Sequence, residues 1–371
     1  GGLGVACYQL CRELASVGID IDFILPYTGE HNIDFMQITP AHHQTAEEFV
    51  KYGSVYDAKN FTSQKYREIL DQPLDLRQQH DAYAHNVAKI VEKKEFDVIH
   101  AHDWLTFRAG LMAKQVSGRP LVLHVHATQY DQSGGGHGNP MAREIEQQAF
   151  MVADQIFAVS QHTKNVIVNH YGIPADKIQV VHNSMEIKTN VDESENVHEY
   201  LRFMRDQGYR VVSNIGRMTI QKGLTHLLET AAKVIAKNPK VLFFIAGGGE
   251  QKEELMELAA QYRISGNVIF EGWVKGKKLR DSFRIADVFI MPSVSEPFGL
   301  TPLEAIGFRT PVIVSKQSGV AEVLHNCFKA DFWDTDQMVD MILAMCENDS
   351  LARTMWQHSY EEYLNQSWEK S

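Results

Sequence analysis

Short apolar runs alternate with amphipathic segments along most of the chain, and this alternation constrains the fold more than any other feature. The apolar runs of the first half are IDIDFILP, FDVIHAHD, PLVLHVHAT, DQIFAVS and KIQVVHN, at 19–26, 96–103, 120–128, 154–160 and 177–183. The segments with helical spacing are 5–17, 76–94, 105–116, 141–152 and 161–170. This pattern is typical of an α/β fold with a largely parallel sheet.

A second series of the same kind occupies the second half of the chain. Its apolar runs are YRVVSNIG, VLFFIAG, NVIFEG, DVFIMPS and PVIVSK, at 209–216, 241–247, 267–272, 287–293 and 311–316. Its predicted helices are 223–237, 250–263, 276–285, 301–307 and 319–324. We therefore predict two doubly wound domains, 1–188 and 209–371, joined by a polar linker and helix at 189–208. Residues 30–75 show no clear pattern and are predicted to be a loop-rich insertion.

Length and charge support this division and exclude some partners. A chain of 371 residues is long enough for two domains at roughly 150 residues each. The net charge of −11 argues against binding to nucleic acid. No run of about 18 apolar residues occurs, so no transmembrane segment is expected. Four cysteines without a CxxC pair favour a reducing compartment, and we expect the cytoplasm. Oligomeric state cannot be read from the sequence.

The segment SEPFGLTPLEA carries two glutamates, Glu296 and Glu304, and has two interpretations. In the first, Thr301 is a helix N-cap, Pro302 is the first helical residue and Glu304 completes a capping box. In the second, the two carboxylates accept hydrogen bonds from a ligand, Glu296 from sugar hydroxyls and Glu304 from a ribose. The two interpretations are compatible, and we favour a ligand clamp.

The segment IGRMTIQKGL places Arg217 and Lys222 in the turn after the first strand of the second domain. Arginine can fork onto a phosphate and lysine supplies a movable point charge. Ligands of open α/β sheets bind at the carboxyl ends of the strands, where this turn is predicted to lie. A solvated basic turn is the alternative interpretation.

These motifs together resemble those of a known family. R-x4-K and E-P-F-G-L-x3-E are similar to the second domain of retaining nucleotide-sugar glycosyltransferases with the GT-B fold. The resemblance is to the family-4 type and the related glycogen and starch synthases. Further matches are GGLG, HAHDW, HVHAT, AVSQHTKN and VVHNSME, at 1–4, 100–104, 124–128, 158–165 and 180–186. The resemblance implies two Rossmann-like domains facing a cleft, with the first strand of the first domain missing.

The resemblance also implies roles for individual residues. Arg217 and Lys222 would neutralise the leaving diphosphate, Glu304 would hold the nucleotide ribose, and Glu296 would contact the donor sugar. The residues implied to line the phosphate turn through their backbone are Phe298, Gly299, Leu300 and Thr301. In the first domain, the residues implied to act are Gly2 and Leu3 in a glycine loop facing the donor, His126 near the sugar, and Asp103 beside the acceptor cleft.

The implied activity is retaining transfer of a hexose, with glucose preferred, to a sugar or α-glucan acceptor. The donor is expected to be a nucleotide-diphosphate sugar, UDP- or ADP-glucose. We expect no cofactor, no metal-ligating residues and metal-independent catalysis, because the two cations would already neutralise the diphosphate.

The histidines of the first half support a different hypothesis. His100 and His102 are two residues apart on a predicted strand, and so are His124 and His126, so each pair points to one face. His-x-His at a strand end can begin a zinc site, which would suit a metal-dependent hydrolase. A phosphorylase, an epimerase or a non-catalytic sugar-binding module are alternatives that share the predicted fold.

Overall fold

The computed structural model describes residues 2–27, 29, 31–42, 76–185 and 195–366. The chain forms two compact units. The first comprises Gly1–Tyr130, His137–Val159 and Thr163–Val181, and the second Asp131–Gly136, Ser160–His162 and His182–Ser371. The predicted domain boundaries did not include the two short segments, 131–136 and 160–162, in the second domain. Residues 189–194 of the predicted linker lie outside the described residues, and its predicted helix is present at Glu199–Asp206.

The first unit contains two parallel sheets. The pair β1 (Asp22–Leu25) and β2 (Gln37–Pro40) forms one sheet. The second sheet has four parallel strands in chain order, β3 (Ile99–His102), β4 (Leu121–Val125), β5 (Gln155–Ala158) and β6 (Ile178–Val180). Strand β2 lies in a stretch predicted to be loop-rich, so that prediction was wrong for these four residues. Residues 43–75 lie outside the described residues.

Helices precede and separate the strands of the first unit. They are α1 (Gly2–Ser16), α2 (Leu76–Val91), α3 (Asp103–Ser117), α4 (Gln129–Gln132), α5 (Pro140–Val152) and α6 (Gln161–Tyr171). Leu121 and Leu123 of β4 are completely buried in a cluster with Phe107 of α3 and Phe150 of α5. Because side chains alternate along a strand, the histidines of β3 and β4 point to the opposite face.

The second unit is built on one six-stranded parallel sheet. Its strands are β7 (Arg210–Ile215), β8 (Val241–Ala246), β9 (Val268–Glu271), β10 (Val288–Met291), β11 (Val312–Ser315) and β12 (Phe328–Ala330). Their spatial order is β12-β11-β10-β7-β8-β9, in which the chain winds first to one side of β7 and then to the other. This is the doubly wound order of a Rossmann fold. All six residues of β8 are buried, as expected for a strand with helices on both faces.

The helices of the second unit are α7 (Glu199–Asp206), α8 (Leu224–Lys237), α9 (Lys252–Gln261), α10 (Gly276–Arg284), α11 (Thr301–Gly307), α12 (Val320–Val323), α13 (Thr335–Glu347) and α14 (Asp349–Leu364). A 3-10 turn, Ile220–Lys222, precedes α8. The predicted series ended near residue 324, so β12, α13 and α14 were not foreseen. The predicted α/β class with parallel sheets is confirmed. No helix in the described ranges has the length and apolar composition needed to cross a membrane.

Candidate functional site

The strand order of the second unit brings two distant loops together. Strand β7 pairs with β8 on one side and with β10 on the other, and Val288 of β10 lies opposite Val212 of β7. The chain reverses its direction of winding between β7 and β10, and ligands of such sheets bind outside the carboxyl ends of the strands at this point. The loop after β7, residues 217–222, is called the basic turn. The loop after β10, residues 293–304, is called the acidic loop.

An ion pair joins the two loops. Lys222 Nζ of the basic turn contacts Glu296 Oε2 of the acidic loop. The Oγ of Ser293 donates a second hydrogen bond to the same carboxylate oxygen, over 3.1 Å. Glu296 is only 7% exposed, so its negative charge is balanced by Lys222 and Ser293 rather than by bulk water. The predicted proximity of Lys222 and Glu296 is therefore observed.

Gln221 makes further connections between the loops. Its Oε1 accepts a hydrogen bond from Arg217 Nη2 at 3.2 Å, and its Nε2 donates to the carbonyl of Ser295 at 3.0 Å. The backbone N–H of Val294 donates to the carbonyl of Gln221 at 2.9 Å. Sequence reasoning missed both Gln221 and Ser293. Gln221 stands directly before Lys222 within the R-x4-K motif, and that position was the available signal.

Two glycines allow the backbones of these loops to approach closely. Gly223 has φ +64°, and a Cβ there would lie 2.1 Å from the carbonyl oxygen of Pro292. Gly299 has φ +95°, and its Cβ would lie 2.8 Å from Cε of Met291. Both distances are shorter than real Cβ contacts, and both φ values are costly for other residues. Glycine is therefore required where each loop passes the end of β10.

The start of α11 differs from the predicted capping box. Thr301 is the first helical residue rather than the N-cap, and no side chain caps the N-terminus. The Oγ1 of Thr301 instead contacts Met291 Sδ at 3.9 Å. Within the described residues, the backbone N–H groups of Gly299, Leu300 and Thr301 donate no hydrogen bond. The capping-box prediction was wrong, and three backbone donors are left beside the ion pair. Phe298, 3% exposed, anchors this loop in the core.

Within the described part of the chain, Glu304 has no structural partner that would explain its position. Among the described residues, its carboxylate makes neither a hydrogen bond nor an ion pair. Burial disfavours the charged form and raises the pKa of Glu304 to about 7. A half-buried carboxylate without a partner is ready to accept hydrogen bonds from a ligand, and its acceptance should depend on pH near neutrality.

The predicted site residues of the first unit have clear structural positions. Gly2 and Leu3 lie in the first turn of α1 and not in a loop. Asp103 begins α3 with φ 58° and is 2% exposed. Its Oδ1 accepts hydrogen bonds from the backbone N–H of His126 at 2.7 Å and of Ala127 at 3.2 Å. Asp103 thus positions the backbone of His126. The location of Asp103 beside an acceptor cleft stays a prediction.

His126, directly after β4, is the last of four stacked imidazoles, of which the other three lie on β3 and β4. We call His100, His102, His124 and His126 the histidine ladder. His102 lies directly opposite His124 in the sheet, and a 3.0 Å hydrogen bond joins His102 Nδ1 to His126 Nε2. Burial is the main cause that lowers the pKa of His126 well below its ordinary value. His126 is therefore a neutral imidazole at neutral pH.

Comparison with known proteins identifies the family. Residues 1–188 match the model of Glycosyltransferase Family 4, and residues 202–361 match that of Glycosyl transferases group 1. The chain belongs to Glycosyltransferase Family 4. The first matched region of this family member contains Asp103 and His126, and the second contains the basic turn and the acidic loop.

Three similar proteins place this glycosyltransferase among known enzymes. An uncharacterized glycosyltransferase of Methanocaldococcus jannaschii is 30% identical over 337 residues, 87% of this chain and 79% of that protein. D-inositol 3-phosphate glycosyltransferase of Rhodococcus jostii is 26% identical over 341 residues, 88% and 72% of the two chains. The structure of Anabaena HepE in complex with UDP and glucose has a TM-score of 0.69 at 17% identity, covering 98% of this chain and 92% of that one. The expected GT-B type of fold is confirmed.

The cluster in the second unit has the donors and acceptors that a charged sugar ligand requires. Arg217 and Lys222 offer positive charge, and the N–H groups of residues 299–301 offer neutral donors. Glu296 and Glu304 offer carboxylate acceptors for hydroxyl groups. An acidic protein can bind an anionic ligand here because Arg217 and Lys222 lie together in one turn at the edge of the sheet.

Proposed function

We propose that this protein is a retaining glycosyltransferase that moves a hexose, glucose by preference, from a nucleotide-diphosphate sugar to a sugar or α-glucan acceptor. The supporting observation is the position of the basic turn and the acidic loop at the β7/β10 switch point of the second unit. The glycosyltransferase family and the UDP and glucose bound by the related HepE structure favour this class of donor.

In the proposed complex, the diphosphate binds against Arg217, Lys222 and the N–H groups that precede and begin α11. Positive charge held at this position stabilises the diphosphate as it leaves, and one such interaction contributes on the order of 3 kcal/mol to lowering the barrier. The two cations make a metal ion unnecessary for the leaving group. The donor is then a substrate, UDP- or ADP-glucose, and no cofactor is consumed.

The two glutamates bind different parts of the proposed donor. Glu304 accepts hydrogen bonds from the ribose diol, and Glu296 accepts from hydroxyls of the sugar. Because Glu296 is already paired with Lys222, the sugar and its phosphate bind on the two sides of one ion pair. Glu296 orients the sugar, and a donor phosphate oxygen serves as the base for attack from the same face.

Residues of the first unit contribute to the proposed acceptor side. His126 is neutral and can donate or accept one hydrogen bond at a sugar hydroxyl, while Asp103 fixes its backbone. Gly2 and Leu3 are proposed to face the donor. The inositol phosphate acceptor named for the Rhodococcus relative makes phosphorylated small polyols worth testing beside α-glucans.

A thermal-shift screen against UDP, ADP, GDP and their glucose conjugates tests the donor site. A ligand at about 100 times its Kd adds about 2.7 kcal/mol of apparent stability. Arg217→Ala should abolish the shift, whereas Arg353→Ala, an exposed arginine of α14, should retain it. A shift that survives Arg217→Ala, or no shift with any nucleotide, would contradict the proposed donor site.

Transfer itself is tested with Glu296→Ala and with a chelator. The variant should bind the nucleoside diphosphate as the wild type does but lose sugar transfer, because Glu296 is assigned to the sugar. Activity should persist in EDTA, and the anomeric configuration of the product, measured by NMR, should be that of the donor. Release of free sugar in place of transfer would favour a hydrolase, and an inverted product would exclude the retaining mechanism.

A further inference from the structure

The histidine ladder contains nitrogen atoms that the fold does not use. Both ring nitrogens of His124 and Nε2 of His100 are buried and have no hydrogen-bond partner among the described residues. His124 is 1% exposed. A buried polar atom without a partner costs about 1–3 kcal/mol, so such atoms are rare unless a ligand or ion satisfies them. Three unsatisfied atoms on neighbouring rings require an explanation.

The register of β3 and β4 brings the rings together. His102 lies opposite His124, and His124 lies opposite Phe157 of β5. Ring centroids are 4.4 Å apart for His100 and His102, and 5.3 Å apart for His102 and His124. Since His100 and His102 are two residues apart on one strand, all three imidazoles project from the same face of the sheet.

We infer that His100, His102 and His124 form a binding site for a divalent transition metal ion of the Zn²⁺ class. One ligand atom from each of the three residues lies within 4.8 Å of the others. Zinc–nitrogen bonds of about 2.0–2.1 Å in tetrahedral geometry put the ligands about 3.3 Å apart, so the ligand atoms must move closer together when the ion binds. Three histidines are a ligand set that zinc uses in proteins, and imidazole suits Zn, Cu, Fe and Ni.

The local chemistry suits a cation in spite of the burial. Burial lowers the pKa of His100 to about 4, and lowers the pKa of His102 and His124 well below their ordinary value. The rings are therefore neutral at pH 7, which is the form that binds metal. The His102–His126 hydrogen bond holds the ring of His102, as a second partner commonly does for metal-ligating histidines. The carboxylate of Asp103, which is buried, follows His102 directly in the sequence.

Binding requires the rings to turn. His100 and His102 are stacked with their planes 29° apart, and His102 and His124 with their planes 18° apart. A bound ion must lie close to the plane of each ring, so the imidazoles have to rotate about χ2, a torsion with a broad energy minimum. This site is separate from the proposed leaving-group chemistry, and it departs from the sequence-based expectation of no metal ligands.

A second arrangement of ligands shares His102. Cys7 of α1, His102 and His126 also place one ligand atom each within 4.8 Å of the others. Burial raises the pKa of the Cys7 thiol far above its ordinary value, and metal binding would have to remove that proton. The three-histidine set needs no deprotonation at neutral pH and gives a partner to one nitrogen of His100 and one of His124, so we assign the ion to these three histidines.

The test measures metal binding by the full chain, without reference to transfer. The protein is freed of metal with EDTA, dialysed, and titrated with Zn²⁺ by calorimetry, with metal content measured after gel filtration. Wild type should retain one Zn²⁺ per chain and gain about 5 °C in Tm at saturation. His124→Phe, which keeps an aromatic ring in the stack, should lose both effects. His80→Phe is the matched control, because His80 is also buried and stacked, on Trp104, but lies outside the ladder.

Cobalt distinguishes the two ligand sets in the wild-type protein and does not depend on the folding of any ladder variant. Tetrahedral Co²⁺ on three imidazoles should give visible d–d absorption without a thiolate-to-metal charge-transfer band. A charge-transfer band that disappears in Cys7→Ser would move the ion to Cys7, His102 and His126 and overturn the assignment. Absence of stoichiometric Zn²⁺ binding, or unchanged binding by His124→Phe, would overturn the site itself. Either failure leaves the nucleotide shift of the donor site unaffected, so the two proposals are tested separately.

Discussion

The carboxyl edges of the two main sheets differ in how their polar side chains are stabilised. In the second unit, the edge of β7 and β10 carries charged groups, and Lys222, Glu296 and Ser293 satisfy one another directly. In the first unit, the edge of β3 and β4 carries four neutral imidazoles that stack and have few hydrogen bonds. Burial alone cannot explain why one edge holds charged side chains and the other holds neutral ones. Charges stay buried where an opposite charge accompanies them, whereas titratable groups without one become neutral.

Removing one charge of the second unit should have the largest effect. Lys222→Ala should reduce transfer roughly 100- to 1,000-fold, because the variant loses a cation aimed at the leaving group. The measurement is kcat/KM with the nucleotide sugar identified in the screen, together with the Kd of its diphosphate product. Lys233→Ala in α8, a partly exposed lysine paired with Glu229 and Asp336, should change neither. If Lys222→Ala lowers Tm so far that unfolding accounts for the lost activity, the ion pair has only a structural role.

Acid should weaken the first unit through its neutral histidines. Their pKa values are lower in the folded chain than the ordinary 6.5, so they stabilise the fold above that pH, and the stabilisation is lost as pH falls from about 6.5 towards 4. Each histidine contributes up to about 1.4 kcal/mol per pH unit to this loss. The contribution of Glu304 to stability changes in the opposite direction, because its pKa is raised: it increases as the pH falls from 7 to 4.5. Glu304 is a single group, so the histidines dominate.

Urea unfolding at pH 7 and pH 5 measures this loss as the difference between the two free energies of unfolding, and His124→Phe should reduce that difference by up to about 2 kcal/mol. An equal difference in the variant and in the wild type would show that His124 is protonated in the folded chain at pH 5. The contrast between the two sheet edges would then be wrong.

These two predictions depend on contacts that could be foreseen only in part. The ranges of most strands and helices followed from apolar periodicity, and the shared face of each His-x-His pair followed from strand alternation. The contact of Lys222 with Glu296 depends on β10 lying beside β7, and the stacking of His102 on His124 depends on strand register. Neither is a local property of the sequence. Thr301 was misassigned as an N-cap because a motif fits a helix start without fixing its first residue.

A glycine substitution tests how closely the two loops of the second unit must approach. Gly223→Ala should cost roughly 2 kcal/mol more than Gly276→Ala, since both glycines have positive φ but only the first would meet a neighbouring carbonyl. Chemical unfolding measures both variants. Nucleotide binding should weaken in Gly223→Ala alone. Similar stability losses in the two variants would mean that backbone conformation, and not the contact with Pro292, requires glycine.

The smallest predicted effect concerns Glu304. Because its pKa is raised to about 7, the carboxylate becomes protonated below neutral pH and accepts fewer hydrogen bonds from a ribose. Donor affinity should fall by roughly tenfold between pH 8 and pH 6, which corresponds to about 1.4 kcal/mol of binding free energy. Glu304→Gln, measured by calorimetry with the same donor, should bind with little dependence on pH. A variant that keeps the full pH dependence would assign the titration to another group.

The strand order of the second unit also has a consequence for biosynthesis. The ribosome makes β7, β8 and β9 in succession, and these strands are neighbours, so they can pair as they emerge. About 80 residues separate Lys222 from Glu304, which at about 5–20 residues per second is roughly 4–16 s of translation. Until Glu296 has been made, Lys222 of the basic turn lacks the carboxylate that it contacts in the folded chain.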